Sequence, residues 1–234
     1  MSDVLLDIRD LHAWYGESHV LHGVNLEVRR GELVTLLGRN GSGRTSTLKA
    51  ILGLTDRKTG SVHFDAGDVT RLAPHQIARR GIGYCPEERG IYASLTTEEN
   101  LLLPPQVLPG GMTVGEIYEM FPNLKERRHS PGTRLSGGEQ QMLALARILR
   151  TGAHLLLLDE ITEGLAPVIV QALAVALRQL KKRGYTIVLV EQNFRFAAPL
   201  ADRHYVLEHG RVVLTLNQAE LADRSAMLHE LLGV

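Results

Sequence analysis

Hydrophobic residues follow two different patterns along the chain. Continuous apolar runs of strand length, such as LVTLLG at 33–38 and HLLLLDE at 154–160, alternate with longer segments of helical spacing, such as PVIVQALAVALRQLKKRG at 167–184. Such runs are typical of strands buried on both faces of a sheet, and their alternation with helices favours parallel strand pairing. In the first thirty residues, polar and apolar residues alternate on both sides of a turn. We therefore predict an α/β fold with a mostly parallel sheet and an N-terminal antiparallel β region.

The pattern changes between residues 87 and 150. Prolines and glycines cluster in LLLPPQVLPGGMT, and short amphipathic segments such as VGEIYEMF and NLKERR follow. We interpret this stretch, at about 87–150, as a smaller helical subdomain inserted into a core formed by about 1–86 and 151–234. The whole chain is thus predicted to be a single domain. Its end is predicted to form a hairpin that turns at HG, 209–210, and a terminal helix to Val234.

The bulk composition limits the possible functions. The chain has 234 residues, of which 44% are hydrophobic and 22% charged, and its 26 basic residues balance its 26 acidic ones. Zero net charge argues against a broad surface for nucleic acid, so we expect no nucleic-acid partner. The N-terminus has no secretory signal pattern, and the apolar runs are far shorter than the about 20 residues of a membrane span. We predict a soluble chain that would serve a membrane only through a partner.

The stretch GRNGSGRT, at 38–45, has the glycine spacing of a phosphate-binding loop between a predicted strand and a predicted helix. Glycines let the backbone curl so that successive N–H groups face an anion, and the following helix adds its positive N-terminal end. Arg44 stands where this loop pattern has lysine, Thr45 can offer its hydroxyl to Mg²⁺, and Ser46 can donate to phosphate. The other candidate ligands are Gly38, Arg39, Asn40, Gly41, Ser42 and Gly43. On the loop alone, a plain glycine turn before a helix explains the sequence equally well.

Two carboxylates, Asp159 and Glu160, end the apolar strand at 154–160. The C-terminal edge of a parallel sheet is where ligands of open α/β folds bind. Asp159 can hold Mg²⁺ through water, and Glu160 can polarise a water for attack on a γ-phosphate. An ordinary acid pair that caps a helix is the alternative, but the glycine loop earlier in the chain favours the catalytic interpretation.

A second phosphate-binding device is predicted at LSGGEQQ, 135–141. Ser136 supplies a hydroxyl, Gly137 and Gly138 let the backbone approach a phosphate, and the following helix presents its N-terminus to the anion. Two such devices on one chain are readily used if two copies dimerise head to tail, each loop closing over the nucleotide of the other. A serine N-cap followed by glycine explains the helix start, but not the coincidence with the other two motifs.

The three motifs resemble, in order and type, those of the ATP-binding cassette (ABC) subunits of transporters, over essentially the whole chain. The segments WYGESHVLHGV, TEGLAP and VEQNFRFAAPLADRHYVLEHG resemble the branched-chain amino acid importer branch, with urea and amide importers as near relatives. The resemblance implies a P-loop NTPase-type fold that binds ATP and Mg²⁺. It also implies an aromatic residue that stacks on adenine; Tyr15 occupies the matching position, and Trp14 is the near alternative.

The resemblance further implies the partners. These are a second ABC cassette, either an identical copy or a sister subunit, two membrane permease subunits and, indirectly, a solute-binding protein. The chain would lie at the cytoplasmic face of the cell membrane as a peripheral protein. The segment from about Glu88 to Arg134 is where the family docks its membrane subunits.

Four positions depart from the family pattern. Arg44 replaces the lysine with a larger, planar donor. Glu87 replaces the usual glutamine and is expected to ligate Mg²⁺, whereas Gln192 replaces the switch histidine and is expected to donate to the γ-phosphate without titrating. Ile161 replaces the proline after Glu160, which is expected to loosen that turn. Since both acids of the strand end remain, hydrolysis is the favoured prediction, with Glu160, Gln192 and Arg44 as catalytic residues.

The leading hypothesis is an ATPase that drives an importer for branched-chain amino acids or similar small polar solutes. Cassettes of DNA repair carry a long coiled coil between the glycine loop and LSGGEQQ, which this sequence lacks, and translation cassettes usually come two per chain. Two alternatives stay open: a catalytically weak nucleotide-binding partner of a more active sister cassette, and a urea or amide importer ATPase. The choice of solute rests on resemblance alone, because a cassette does not touch the solute.

Overall fold

A computed structural model describes residues 3–221 of the chain. The predicted terminal helix to Val234 lies outside the described residues. Two β-sheets and eight α-helices make up the described part. Within residues 3–221, no helix is long and apolar enough to cross a lipid bilayer.

The N-terminal region forms a four-stranded antiparallel sheet in the order β2-β1-β4-β5. Its long hairpin turns at Gly16, and inward residues such as Leu6 and Ile8 are fully buried while the intervening side chains are more exposed. This is the alternation that favours a sheet with one buried face. The strands are β1 (Val4–Tyr15), β2 (Ser18–Arg29), β4 (Arg57–Phe64) and β5 (Gly67–Asp68).

The main sheet has six strands in the order β10-β9-β3-β8-β7-β6, and all neighbours are parallel except the final hairpin of β9 and β10. That hairpin turns at His209 and Gly210, as predicted. All five residues are buried in each of β3, β7 and β8, as continuous apolar runs require. The strands are β3 (Leu33–Leu37), β6 (Ile82–Cys85), β7 (Leu155–Asp159), β8 (Thr186–Val190), β9 (Arg203–Glu208) and β10 (Arg211–Asn217).

Helices cover both faces of the main sheet, and residues 86–154 form the helical stretch between β6 and β7. A helix at 97–102 was not predicted, although the capping box of Thr96 and Glu99 marks its start. The helices are α1 (Arg44–Ile51), α2 (Pro74–Arg79), α3 (Thr97–Leu102), α4 (Val114–Met120), α5 (Pro122–Glu126), α6 (Gly137–Arg150), α7 (Pro167–Lys182) and α8 (Phe194–Ala197). The proposed subdomain boundary at about 87–150 stays a prediction.

The main sheet separates two groups of buried apolar side chains. Alternate residues of β3 point to opposite groups: Leu33 joins the group that contains α6 and α7, whereas Val34 joins the group that contains α1 and the antiparallel sheet. The same alternation divides β7. The carboxyl ends of β3, β7 and β8 are therefore held rigidly from both faces, and the loops that follow them carry the predicted site residues.

Candidate active site

A cavity of about 690 Å³ opens at the carboxyl ends of β3 and β7. It brings together most of the residues predicted from the glycine loop, the acidic strand end and the N-terminal aromatic. The lining consists of Tyr15, His19, Val20, His22, Asn40, Gly41, Ser42, Gly43, Arg44, Thr45, Ser46, Glu87, Glu160, Glu163, His209 and Gly210. Gly38 is buried beneath the loop, and Arg39 lies exposed at its outer side.

The glycine loop connects β3 directly to α1 and leaves the helix N-terminus open. Gly43, the N-cap residue, has φ of +103°, and a Cβ there would lie 2.9 Å from Leu21 Cδ2 and 3.2 Å from Gly210 Cα. Only glycine fits such a crowded left-handed position. No side chain in the described part of the chain caps α1, so its first N–H groups remain available to an anion in the cavity.

Arg44 joins the glycine loop to the acidic strand end. Its side chain is 4% exposed, and Nη2 donates to Glu160 Oε1 at 2.7 Å and to Asn40 Oδ1 at 3.1 Å. The second terminal nitrogen, Nη1, is buried and has no hydrogen-bond partner among the described residues. A buried guanidinium nitrogen without an acceptor is costly, and a phosphate oxygen would satisfy it. The residues present therefore fit a phosphorylated ligand.

Asp159 ends β7 beneath this loop and is 1% exposed. Thr45 Oγ1 donates to Asp159 Oδ1 at 2.9 Å, and the Tyr84 hydroxyl donates to Oδ2 at 3.0 Å. Burial raises the pKa of Asp159, and these two hydrogen bonds oppose that rise. Tyr84 was not predicted as a site residue, because its contact depends on the pairing of β6 with β7.

Glu160 adopts an unusual backbone conformation for a residue with a side chain, with φ of +46°. Such strain persists only where the surrounding structure enforces it, and it is concentrated at functional sites. Burial raises the pKa of the Glu160 carboxyl, the positive charge of Arg44 opposes this, and the nearby acids Glu163, Glu87 and Asp159 add to it. A base of raised pKa is suited to accepting a proton near neutral pH.

The predicted Mg²⁺ ligands offer only oxygen donors; Thr45 and Glu87 line the cavity, and Asp159 lies beneath it. Thr45 and Asp159 are hydrogen-bonded, and Glu87 lies exposed at the rim, where burial, then the charge and hydrogen bond of Glu163, raise its pKa. Carboxylate and hydroxyl oxygens are the ligands that Mg²⁺ prefers. A triphosphate would add negative charge beside these acids, so the donor set fits a ligand that carries a divalent cation.

The part of the cavity that would receive a nucleobase is aromatic. Tyr15, the last residue of β1, lines it, whereas Trp14 does not. The Trp14 ring instead stacks on His19 with 4.2 Å between ring centroids and receives the guanidinium of Arg57 on its face. His22 also lines the cavity beside His19. These histidines were not predicted as site residues, because the register of β2 against β1 sets their place beside the end of β1, with His19 paired to Trp14 and His22 paired to His12.

The LSGGEQQ segment lies outside this cavity. Ser136 is the exposed N-cap of α6; its Oγ accepts from Glu139 N, and Glu139 Oε2 accepts from Ser136 N. A Cβ on Gly138 would lie 2.7 Å from Ile169 Cγ2, so glycine here permits close packing of α6 against α7. Ser136 thus caps α6, and Ser136, Gly137 and Gly138 do not line the cavity formed by the glycine loop of the same chain. Their predicted contact with the nucleotide of a second cassette stays a prediction.

Gln192 lines a smaller neighbouring cavity of about 280 Å³, together with Glu160. Gln192 is exposed at the carboxyl end of β8. Ile161, which was expected to loosen the turn after Glu160, is 1% exposed and belongs to the main buried cluster. Its side chain holds the turn by packing among apolar residues, whereas proline would restrict the backbone of the turn.

Replacing Tyr84 by phenylalanine is expected to lower the free energy of unfolding by about 1–2 kcal/mol, because Asp159 loses a donor that a buried carboxylate needs. Chemical denaturation measures this change. Tyr118→Phe is the matched control, because the Tyr118 hydroxyl lies 3.4 Å from Glu98 Oε1 and makes only a weak contact. Equal losses in the two variants would contradict a special role for the Tyr84 hydroxyl.

Comparison with known proteins gives the family. The sequence profile of the ABC transporter family matches residues 21–163, which include both the glycine loop and LSGGEQQ. The chain belongs to the ABC transporter family and is an ATPase. It is 38% identical over 238 residues to a high-affinity branched-chain amino acid transport ATP-binding protein, BraG, of Pseudomonas aeruginosa, covering 98% of this chain and 100% of that protein. It is 30% identical over 235 residues to a lipopolysaccharide export system ATP-binding protein, LptB, of Acidithiobacillus ferridurans, covering 98% and 97%.

Solved structures agree with this assignment. A nucleotide-free ATP-binding cassette of an ABC transporter superposes with a TM-score of 0.84 at 22% identity, covering 99% of both chains. A dimeric ATP-binding cassette in a post-hydrolysis state, bound to ADP and Pi, gives 0.79 at 25% identity, covering 92% of this chain and 99% of that one. The predicted family and the predicted fold class are both confirmed.

Proposed function

We propose that this chain is the ATP-binding and ATP-hydrolysing subunit of an importer, and that it couples nucleotide turnover in a cassette dimer to uptake of branched-chain amino acids or similar small polar solutes. The observation that carries the proposal is the 38% identity to BraG, which extends over 98% of this chain. The protein would act at the cytoplasmic face of the membrane, on two permease subunits, with a solute-binding protein on the other side.

The phosphate groups of ATP would be held by the glycine loop. The open N-terminus of α1 faces them with its N–H groups, and Arg44 Nη1 supplies the buried donor that lacks an acceptor. Thr45, Asp159 and Glu87 would hold Mg²⁺. When bound, this ion supplies positive charge to the phosphate oxygens.

Glu160 would orient and deprotonate the attacking water. Its carboxylate lines the same cavity as the glycine loop, and the hydrogen bond from Arg44 fixes its side chain toward that loop. Gln192 would donate to the γ-phosphate from the adjoining cavity. Ser136, Gly137 and Gly138 lie away from the loop of their own chain, which suits the closing of a second cassette over the nucleotide. ATP binding would then favour the closed dimer, and hydrolysis would release it.

Tyr15→Ala is expected to weaken ATP binding about 5- to 150-fold, because a base that stacks on an aromatic ring gains about 1–3 kcal/mol. Tyr15→Phe retains the ring and should bind ATP as the wild type does. Equilibrium titration with a fluorescent ATP analogue measures both affinities. Trp14→Ala serves as the comparison, and a loss confined to that variant would assign the stacking role to Trp14 instead.

The transport proposal is tested in proteoliposomes. The chain is co-purified with the permease subunits of its transporter, and uptake of labelled leucine, isoleucine and valine is measured with ATP on the cassette side. We expect ATP-dependent accumulation that is lost with Glu160→Gln. If urea or amides accumulate instead of these amino acids, the proposed solute class is wrong. If there is no uptake and lipid is released when ATP is added, the importer assignment is overturned.

The second candidate function is an export cassette, which the 30% identity to LptB favours. A third is a catalytically weak partner of a more active sister subunit, which is favoured by the departures Arg44, Glu87, Ile161 and Gln192. Turnover by the isolated chain, compared with turnover by the chain mixed with its sister cassette, separates the weak-partner hypothesis from the leading one.

A further inference from the structure

Two neighbouring loops carry the residues proposed to act on the γ-phosphate. The first loop follows β7 and contains Glu160, and the second follows β8 and contains Gln192. The two strands are parallel neighbours, with Asp159 paired to Val190. The backbone N–H of Glu160 donates to Val190 O at 2.9 Å, so the loops are joined at their starting points.

The buried carboxylate of Glu191 also links the two loops. Glu191, immediately after β8, is 2% exposed, and Thr162 is 7% exposed. The backbone N–H of Thr162 donates to Glu191 Oε1 at 3.1 Å, and the Thr162 hydroxyl donates to Oε2 at 2.9 Å. One acid therefore binds the loop after β7 and its own loop together.

These hydrogen bonds lie on both sides of a strained residue. Glu160 has φ of +46°; Val190 fixes the N–H of Glu160 itself, and Glu191 fixes Thr162 two residues later. A left-handed conformation at a residue with a side chain costs about 1–3 kcal/mol and persists only when its surroundings over-determine it. Val190 and Glu191, which are consecutive at the end of β8, thus hold the backbone at Glu160 and at Thr162.

The contact of Glu191 with Thr162 carries an energetic cost. Burial raises the pKa of Glu191 to about 7, the hydrogen bonds from Thr162 oppose the rise, and the charge of Glu160 adds to it. Burying an ionisable group is unfavourable unless its surroundings compensate it. The hydrogen bonds that flank Glu160 are therefore made by a group whose burial itself lowers stability.

We propose that Glu191 is a positioning residue, which clamps Thr162 and thereby holds Glu160 and Gln192 on the walls of the 280 Å³ cavity between them. The inference rests on the proposed role of Glu160 in hydrolysis. Glu191 itself lines this smaller cavity but not the 690 Å³ cavity where the phosphates would bind, so its loss should change turnover and leave nucleotide affinity in place.

The test compares steady-state hydrolysis and equilibrium ATP binding of Glu191→Ala, Glu191→Gln and Glu160→Gln in the intact chain. Glu191→Ala is expected to lower kcat about 10- to 100-fold, as misplacement of a catalytic group by about 1 Å does, with ATP affinity within about threefold of the wild type. Glu191→Gln can accept from the Thr162 N–H and donate to the Thr162 hydroxyl, so it should recover most of the turnover.

Thr162→Val removes the hydroxyl hydrogen bond to Glu191 and keeps the backbone one, and Thr186→Val is its matched control. Thr186 is also buried, and its hydroxyl accepts from Gly31 N at 2.9 Å, far along the sheet from the cavity. Both variants should lose similar stability in chemical denaturation, but only Thr162→Val should lose kcat. In the double variant with Glu191→Ala, Thr162→Val should add little to the loss, because both act through one contact.

Unchanged kcat in Glu191→Ala, or equal kcat losses in Thr162→Val and Thr186→Val, would overturn the positioning role. A loss carried by ATP affinity alone would overturn it as well. If Glu191→Ala does not fold, the comparison of Thr162→Val with Thr186→Val decides the question. Turnover that survives in Glu160→Gln would instead show that the proposed base is wrong, which distinguishes failure of the proposed function from failure of the clamp.

Discussion

Glu160→Gln is expected to lower the kcat for ATP hydrolysis by at least about 100-fold, because a positioned general base contributes about 10²- to 10⁴-fold. The amide keeps the shape of the side chain, and its oxygen can still accept from Arg44 Nη2, which donates to Glu160 Oε1 in the wild type. It cannot accept a proton from water. ATP affinity should therefore stay close to that of the wild type, or rise because a negative charge beside the phosphates has been removed.

Glu163→Gln is the matched control for this experiment. Glu163 lines the same cavity and is exposed, but its charge is not held toward the glycine loop by Arg44. Steady-state phosphate release and single-turnover hydrolysis measure both variants. If Glu163→Gln loses as much turnover as Glu160→Gln, the loss comes from the shared charge of the acids, and the assignment of Glu160 as the base is contradicted.

The pH dependence adds a second measurement on the wild type. Burial raises the pKa of Glu160 in the ATP-free chain, so its deprotonated, basic form is lost as the pH falls through that raised value. The kcat/KM profile reports groups of the free enzyme, and its acid limb should therefore lie above the ordinary range of a glutamate. In Glu160→Gln the residual activity should lack this limb.

The order of strands and helices could largely be predicted from the sequence, for an identifiable reason. The main strands are buried on both faces, and such strands are continuous apolar runs, as in LVTLLG. The short helix α3 was missed, because its six residues show little helical periodicity. Its capping box, with Thr96 and Glu99, was the available signal.

The candidate site also has residues that the sequence predicted and residues that it did not. Residues within one contiguous motif, such as Arg44 and Thr45, were found because the motif itself specifies their spacing. Tyr84 and Glu191 were missed, because each contacts its partner across neighbouring strands or loops. The spacing of residues within one segment does not predict how that segment pairs with its neighbour. The pairing of Arg44 with Glu160 was missed for the same reason, although each residue was predicted separately.

Arg44→Ala is expected to weaken ATP binding about 10- to 100-fold, because hydrogen bonds to charged groups contribute about 1.5–3 kcal/mol. Arg44 Nη1 is a buried donor that has no hydrogen-bond partner within residues 3–221, and Nη2 donates to Glu160 and Asn40. The planar guanidinium can thus bind a phosphate oxygen through one nitrogen while it keeps Glu160 through the other. Lysine has one ammonium group and cannot present two fixed nitrogens.

The variants of Arg44 therefore separate phosphate binding from control of the base. Arg44 lowers the pKa of Glu160, so its removal should raise that pKa further and move the acid limb of kcat/KM to higher pH. Arg44→Lys should recover most of the ATP affinity, because a cation remains, but less of kcat, because Glu160 and the phosphate must share one ammonium group. Arg39→Ala, in the exposed outer part of the same loop, is the control and should change neither quantity. Wild-type affinity and an unmoved acid limb in Arg44→Ala would show that the loop binds phosphate without its cation.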